Sequence, residues 1–276
     1  MRKIKFSHII IYLVLIIGLV VIVYPVFLTI ISSLKPRKEI IQSFLALPKR
    51  FYLGNFKEIL SGGEFVTALY NSAFVTVGSL VLIVTVIPML AYSLERNSSR
   101  RSYKLAFTFI MVGIFIPFQV VMLPIVKIIS GVRLMNKFGL ILIYLGMSIP
   151  KMSFLYFGYM KSIPWELEEA AFIDGANLYT IFSRIIYPLL KPITVTVIIL
   201  QGLWIWNDFM IPLIIVNRSA ASWTLPLFQY NFKGQYDIEY NLIFTTFILA
   251  MLPMVVMYIF LQKYILKGLT EGSLKG

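Results

Sequence analysis

The chain has 276 residues and a net charge of +13, yet it is 59% hydrophobic and only 13% charged. Soluble domains average about 25% charged residues, so this chain lacks the polar surface of a soluble globular enzyme, and its 22 Phe and 16 Tyr exclude a solvated disordered tail. With no Cys and one His, His8 in the basic N-terminal tip, it has no disulfide framework, cysteine nucleophile, multi-histidine metal centre or histidine-based triad.

A membrane helix needs about 20 mostly apolar residues to cross roughly 30 Å of hydrocarbon. The first such run, 9–31, follows the tip Met1-Arg2-Lys3-Ile4-Lys5. It is too long for a signal-peptide core and no small-residue cleavage site follows, so it is read as a retained helix. The second span is 72–94 and ends at the Arg-rich stretch 95–104. The third, 105–126, contains Pro117 and Pro124 and is read as kinked but continuous, because neighbouring helices tolerate proline in membrane bundles. The fourth, 138–160, is interrupted by Lys151; the fifth, 193–216, contains Asp208; the sixth is 241–262. The expectation is an all-α polytopic membrane protein with six transmembrane helices. Alternating strand patterns are missing, which argues against a β-barrel. Lys and Arg divide almost evenly between the two sets of loops, so charge bias leaves orientation open. The positive excess is read as contact with membrane lipid headgroups rather than nucleic acid.

The longest polar link, 161–192, is not a span. Pro164-Trp165-Glu166-Leu167-Glu168-Glu169 opens like a helix, with proline in the first turn and acids near the positive end of the dipole. Asp174-Gly175 supplies a turn, and a second short helix is expected from about Asn177 until Pro188 stops it. By periodicity alone, this helix–turn–helix is either a docking element or a plain interfacial connector.

The residues of this link resemble a known pattern. Glu169-Ala170-Ala171, three residues, Gly175, nine residues, then Ile185 and Pro188 is similar to the EAA loop of binding-protein-dependent ABC importer permeases, with Asp174 and Ala176 flanking the glycine. Tyr187 stands where that pattern usually has Leu. Other stretches resemble the maltose-type second permease subunit of carbohydrate uptake systems: Ser32-Ser33-Leu34-Lys35-Pro36, Asn71-Ser72, Pro117-Phe118-Gln119, Trp204-Ile205-Trp206-Asn207-Asp208-Phe209, and the ending from Gln262 to Gly276.

The resemblance implies a single permease domain over 1–276 with the type I importer fold: a first helix at about 9–31, a core bundle at about 71–262, a cytoplasmic coupling loop at 161–192 and a tail at 263–276. It implies a second permease subunit, two copies of an ATPase subunit, and an extracytoplasmic solute-binding protein, with termini and loop in the cytoplasm. Glu169 is expected to hold the loop by a charge-assisted bond, Ala170 and Ala171 to permit close approach, and Gly175 to set the bend. The outer segment 217–240 is expected to meet the binding protein, and the tail to touch the ATPase. No Gly-Lys dipeptide occurs, so the chain has no phosphate-binding P-loop; no cofactor is expected here, and ATP and Mg are assigned to the partner subunit.

The solute is expected to be a sugar or oligosaccharide. Lys151 is the argument for an acidic or phosphorylated solute instead. A membrane enzyme would need clustered acid, base or metal groups, which the composition withholds. An ion-coupled carrier would show repeated halves and several buried acids. Trp204, Asn207, Asp208 and Lys151 are the candidates for the translocation path. A charge at mid-membrane costs about 2.5–3.5 kcal/mol on insertion scales, which motivates a Lys151–Asp208 pair. The alternatives are a snorkelling lysine and an aspartate that caps a bend by itself.

Overall fold

The computed structural model describes residues 6–231 and 239–273, and every regular element among them is a helix. The basic tip and part of the 217–240 segment fall outside those residues, and no side chains are described for the tail beyond Gln262, so the expected tail–ATPase contact lies outside too.

In chain order the elements are α1 (Phe6–Ser33), α2 (Arg37–Gln42), α3 (Gly54–Ser61) and α4 (Glu64–Arg96). Then come α5 (Arg101–Val112), α6 (Phe118–Gly131), α7 (Lys137–Met160) and α8 (Glu166–Ile173). After these follow α9 (Leu178–Ile181), a π-helical turn (Phe182–Ile186), α10 (Tyr187–Leu189), α11 (Lys191–Asn207), α12 (Met210–Ile215), α13 (Leu225–Asn231) and α14 (Tyr240–Ser273). Four helices among the described residues are long and apolar enough to cross a membrane, in α1, α4, α7 and α14; two bent pairs raise the number to six if each is one span.

The third span departs from the continuous helix expected. It breaks after a 3-10 turn at Gly113–Phe115, and the chain bends by 108° between α5 and α6. Ile116 is driven to extended angles (φ −86°, ψ 114°) by the proline that follows it, and Pro117 serves as the N-cap of α6. A kink would have needed the carbonyls on both sides re-satisfied; here the chain turns aside. At this corner a Cβ on Gly113 would stand 2.8 Å from Pro150 Cγ of α7. Glycine lets the two backbones approach.

The fifth span is broken as well. α11 ends at Asn207, Asp208 is extended (φ −71°, ψ 130°), and the short α12 carries the chain on. Seventeen helical residues cover about 26 Å at 1.5 Å rise, short of a full crossing.

The chain divides into two compact units. The first comprises residues 1–66 and 228–253. In it α1 presents a nearly continuous exposed apolar surface. Its C-terminal carbonyls are satisfied by Asn55 of α3, whose amide nitrogen donates to Ser33 O and Lys35 O, both at 2.8 Å; Asn241 donates in turn to Asn55 Oδ1 at 2.9 Å. Lys35 is 1% exposed, and its ammonium donates to the Phe44 and Ser43 carbonyls at 3.0 and 3.3 Å. Burial holds that ammonium below the usual lysine value, with Glu39 opposing. The Ser-Ser-Leu-Lys-Pro signature is thus a carbonyl-capping corner.

The second unit, residues 67–227 and 254–276, holds the main core. Ile83 and Ile87 of α4, Tyr144, Tyr156 and Met160 of α7, and Val197 of α11 are fully buried there. Ile181 and Ile186, from the segment after α8, join the same cluster. The link between spans four and five is therefore bolted to the membrane core on one side.

Candidate functional site

The 161–192 link forms a hairpin of short helices around Gly175. α8 closes in a Schellman arrangement: Ala176 N–H donates to Ala171 O at 2.9 Å and Gly175 N–H donates to Phe172 O at 3.0 Å. Gly175 has φ +80°, the left-handed value that this position demands. Ala171 and Ala176, the two residues that meet across such a cap, are half-buried against the core. Asn177 then starts the second arm, its Oδ1 accepting from Thr180 N–H at 2.8 Å.

Pro188 does not stop the second helix, contrary to expectation. The chain remains helical over Leu178–Leu189 and bends by 71° only at Leu190. A proline forbids the normal bond to residue i−4 and its ring crowds that carbonyl. The turn at Phe182–Ile186 answers by widening to π geometry, with Tyr187 N–H donating to Phe182 O. Ile185 is half-buried beside the fully buried Ile186, and Pro188 is exposed.

The carboxylate that holds the loop is Glu168, not Glu169. Glu169 is exposed and makes no ion pair among the described residues, as are Ala170 and Asp174 exposed. Glu168 is fully buried: its Oε1 receives Arg96 Nε–H at 2.6 Å and its Oε2 receives the Tyr92 hydroxyl at 2.5 Å. Arg96 also lies over the Trp165 ring, 5.1 Å from its centroid. Tyr92 packs against Phe182 at 5.2 Å, and Tyr187 donates to Val84 O at 3.2 Å. Both arms of the hairpin are thereby fixed to α4. The sequence displayed three glutamates in four positions; Arg96, 72 residues away, decides which one turns inward.

The opposite face of the hairpin is bare. Ile173 is 86% exposed and Tyr179 74%, with Phe172 and Leu178 about half exposed. Apolar side chains gathered at the tip of a polar loop form an exposed patch of the kind that binding surfaces present.

The intramembrane candidates separate. Asp208 does not meet Lys151. Its Oδ2 accepts from the Tyr144 hydroxyl at 2.8 Å and from Ile211 N–H at 3.2 Å, and its Oδ1 accepts from Met210 N–H at 3.3 Å. Asp208 thus caps the helix beyond the break, and the phenol of α7 supplies what Lys151 was expected to supply. Asn207 turns back on its own helix, donating to Leu203 O at 2.8 Å. Trp206 is buried, whereas Trp204 is 38% exposed and stands edge-on to Tyr144 at 5.5 Å. Trp204 and Lys151 border a cavity of about 600 Å³ formed by the α5–α6 break, α7 and α11. Gln201 lines it too, 5% exposed, with the Ser148 hydroxyl 2.9 Å from its amide oxygen. No acidic side chain lines this cavity.

Comparison with known proteins gives these features a setting. The family profile described as "binding-protein-dependent transport system inner membrane component" matches residues 84–271. The "multiple sugar-binding transport system permease protein MsmG" of Streptococcus mutans is 42% identical over 269 residues, covering 96% of both chains. The "probable starch degradation products transport system permease protein AmyC" of Thermoanaerobacterium thermosulfurigenes is 34% identical over the full length of both. Among solved structures, a chain of a bacterial ABC transporter involved in import of the acidic polysaccharide alginate superposes with a TM-score of 0.84 at 22% identity, covering 96% of this chain and 98% of that one. At that identity the likeness speaks for the fold. The relatives are named as membrane subunits of transport systems and not as enzymes. The chain belongs to the binding-protein-dependent transport system inner membrane component family, and it is a multi-pass, all-helical ABC importer permease.

Proposed function

We propose that this chain is one of two permease subunits of an ATP-driven importer for a sugar or oligosaccharide, and that its 161–192 hairpin is the lever through which a partner ATPase moves it. The observation that carries this reading is the division of the hairpin into two faces: one fixed to α4 through Glu168 and Arg96, the other an uncovered apolar tip around Gly175. A short rigid element with a buried anchor and an exposed docking surface transmits rigid-body motion without shearing the spans it joins. In this reading the hairpin and both termini face the cytoplasm. Two ATPase chains bind ATP and magnesium, and an extracytoplasmic binding protein delivers solute on the far side. The sugar class is supported by the names of the relatives, which include multiple sugars, starch degradation products and arabinooligosaccharides.

The test is reconstitution of the purified complex with its binding protein and a panel of saccharides. Saccharide-stimulated ATP hydrolysis and uptake are expected from the full complex, with none from this chain alone. Hydrolysis by a preparation free of the ATPase, or stimulation by no saccharide, would overturn the reading.

A further inference from the structure

We propose that the cavity at the α5–α6 break binds the anionic group of a charged saccharide, with Lys151 as its counter-charge. This rests on the sugar-importer reading and deepens it by naming the chemical class of solute.

Lys151 sits fourteen residues past Lys137 and nine before Met160 on α7, about 21 Å and 13 Å from the two ends of the helix. Both distances exceed the reach of a four-carbon lysine stem, so its ammonium stays at mid-span. An ammonium there needs a counter-charge or water. Its expected partner is taken, because the Asp208 carboxylate is held by Tyr144 and two backbone N–H groups. The cavity supplies no other acid.

The remaining lining fits a saccharide. About 600 Å³ lies within the range of about 300–1,000 Å³ typical of small-molecule sites. Trp204, Phe115 and Phe118 give the cavity an aromatic lining, the kind of surface on which the C–H side of a pyranose packs. Gln201 is more than nine-tenths buried; Ser148 occupies one end of its amide and the other end has no partner among the described residues. A buried amide half-satisfied at a cavity wall is a hydrogen-bonding position for a sugar hydroxyl. A neutral sugar would satisfy Gln201 and the rings and leave the ammonium alone. A carboxylate or phosphate satisfies all of them through a charge-assisted bond.

The experiment uses the complete importer in proteoliposomes with its binding protein. Three trisaccharide-sized probes are compared: a neutral one, the same chain ending in a uronate, and the same chain carrying a phosphate. Wild type is expected to prefer a charged probe, and the preferred probe says whether the anion is carboxylate or phosphate. Lys151→Met is expected to lower uptake of that probe about tenfold or more while neutral uptake stays within about twofold; Lys151→Arg should retain the charged preference. Equal loss on all probes, which a merely structural lysine would give, overturns the inference. So does an unchanged Lys151→Met, or a wild type that takes the neutral probe as well as the charged ones. In each of those cases the sugar-importer reading survives. Uptake of no saccharide by wild type would overturn both.

Discussion

The hairpin beyond the membrane and the helix break within it each withdraw a carboxylate from solvent, Glu168 fully and Asp208 in part, and they satisfy it in opposite ways. Glu168 is matched by a full positive charge, Arg96, with Tyr92 on its second oxygen. Asp208 is matched by neutral donors, a tyrosine hydroxyl and two backbone N–H groups, while Lys151, the expected partner, stays on a cavity wall. The first arrangement makes a closed anchor, in which Arg96 is shared with Glu95 at 2.8 Å and both Glu168 oxygens are occupied. The second closes the aspartate and leaves the lysine open. A permease has a use for both: a joint that must not slip and a surface that must exchange partners.

The sharpest way to break this contrast is to strip one side of the anchor. Arg96→Met leaves Glu168 as an uncompensated buried charge, a change that costs about 3–5 kcal/mol where a buried pair is broken. Thermal unfolding in detergent should show a large fall, and transport should be lost. The double variant Arg96→Met with Glu168→Leu should recover part of the stability, since replacing both partners by apolar groups is often near neutral, while Glu95 and the Tyr92 hydroxyl each lose a partner. If the double variant is no more stable than Arg96→Met, the pair is not the anchor.

The second effect tests the other end of the lever. Gly175 has open space around its missing Cβ, so Gly175→Asp meets no clash within the chain and carries only the left-handed backbone strain, about 1–2 kcal/mol. The variant should insert and stay folded while losing its hold on the ATPase and its transport. Normal ATPase co-purification and uptake would detach the hairpin tip from coupling. Arg96→Met, by contrast, should damage the fold itself. The two variants therefore separate anchor from docking surface.

The sequence announced these regions unequally. Hydropathy placed spans two, four and six well because each is one continuous helix, and the hairpin was recognisable because Gly175 and its flanking alanines obey local backbone rules. The breaks at Pro117 and Asp208 were not legible. A proline or an aspartate in an apolar run is compatible with a kink, a break or a buried pair, and the choice depends on what packs alongside: Pro150 against Gly113 in one case, Tyr144 in the other. Glu168 was overlooked for a related reason. Adjacent helical positions differ by about 100°, so choosing between Glu168 and Glu169 requires knowing where α4 lies. Reading Pro188 as a stop neglected a cheaper response, the widening of one turn.

The third effect belongs to the membrane side. Asp208→Ala removes the cap of α12 and should cost about 1 kcal/mol for the cap, plus about 1–3 kcal/mol for a Tyr144 hydroxyl left buried and unpaired. Asp208→Asn, with its one acceptor oxygen at the Oδ2 position, keeps the bonds from Tyr144 and Ile211 and gives up only the longer one from Met210, so it should stay much closer to wild type than the alanine in unfolding and uptake. Had Asp208 been the counter-ion of Lys151, the asparagine would be nearly as damaging as the alanine. A steep drop with asparagine would therefore revive the ion pair and close the cavity to an anionic solute.

The smallest effect is the most discriminating for how Asp208 is held. Tyr144→Phe deletes one hydrogen bond at 2.8 Å and leaves the Met210 and Ile211 N–H groups on the carboxylate. Hydrogen bonds to charged groups are worth about 1.5–3 kcal/mol in water-soluble proteins, whereas interhelical bonds in membranes average about 0.6 kcal/mol because the chain finds substitutes there. Asp208 already has two backbone donors, so the membrane figure should apply. Tyr144→Phe should lower stability by about 0.6 kcal/mol and leave the edge-on packing against Trp204 in place, since the ring is unchanged. A loss above about 2 kcal/mol would show that the hydroxyl, and not the backbone cap, keeps Asp208 from Lys151. Charged-saccharide uptake by this variant then reads out the consequence directly. With the backbone cap in control, Lys151 remains open and uptake holds; with the hydroxyl in control, Asp208 swings to Lys151 and uptake falls.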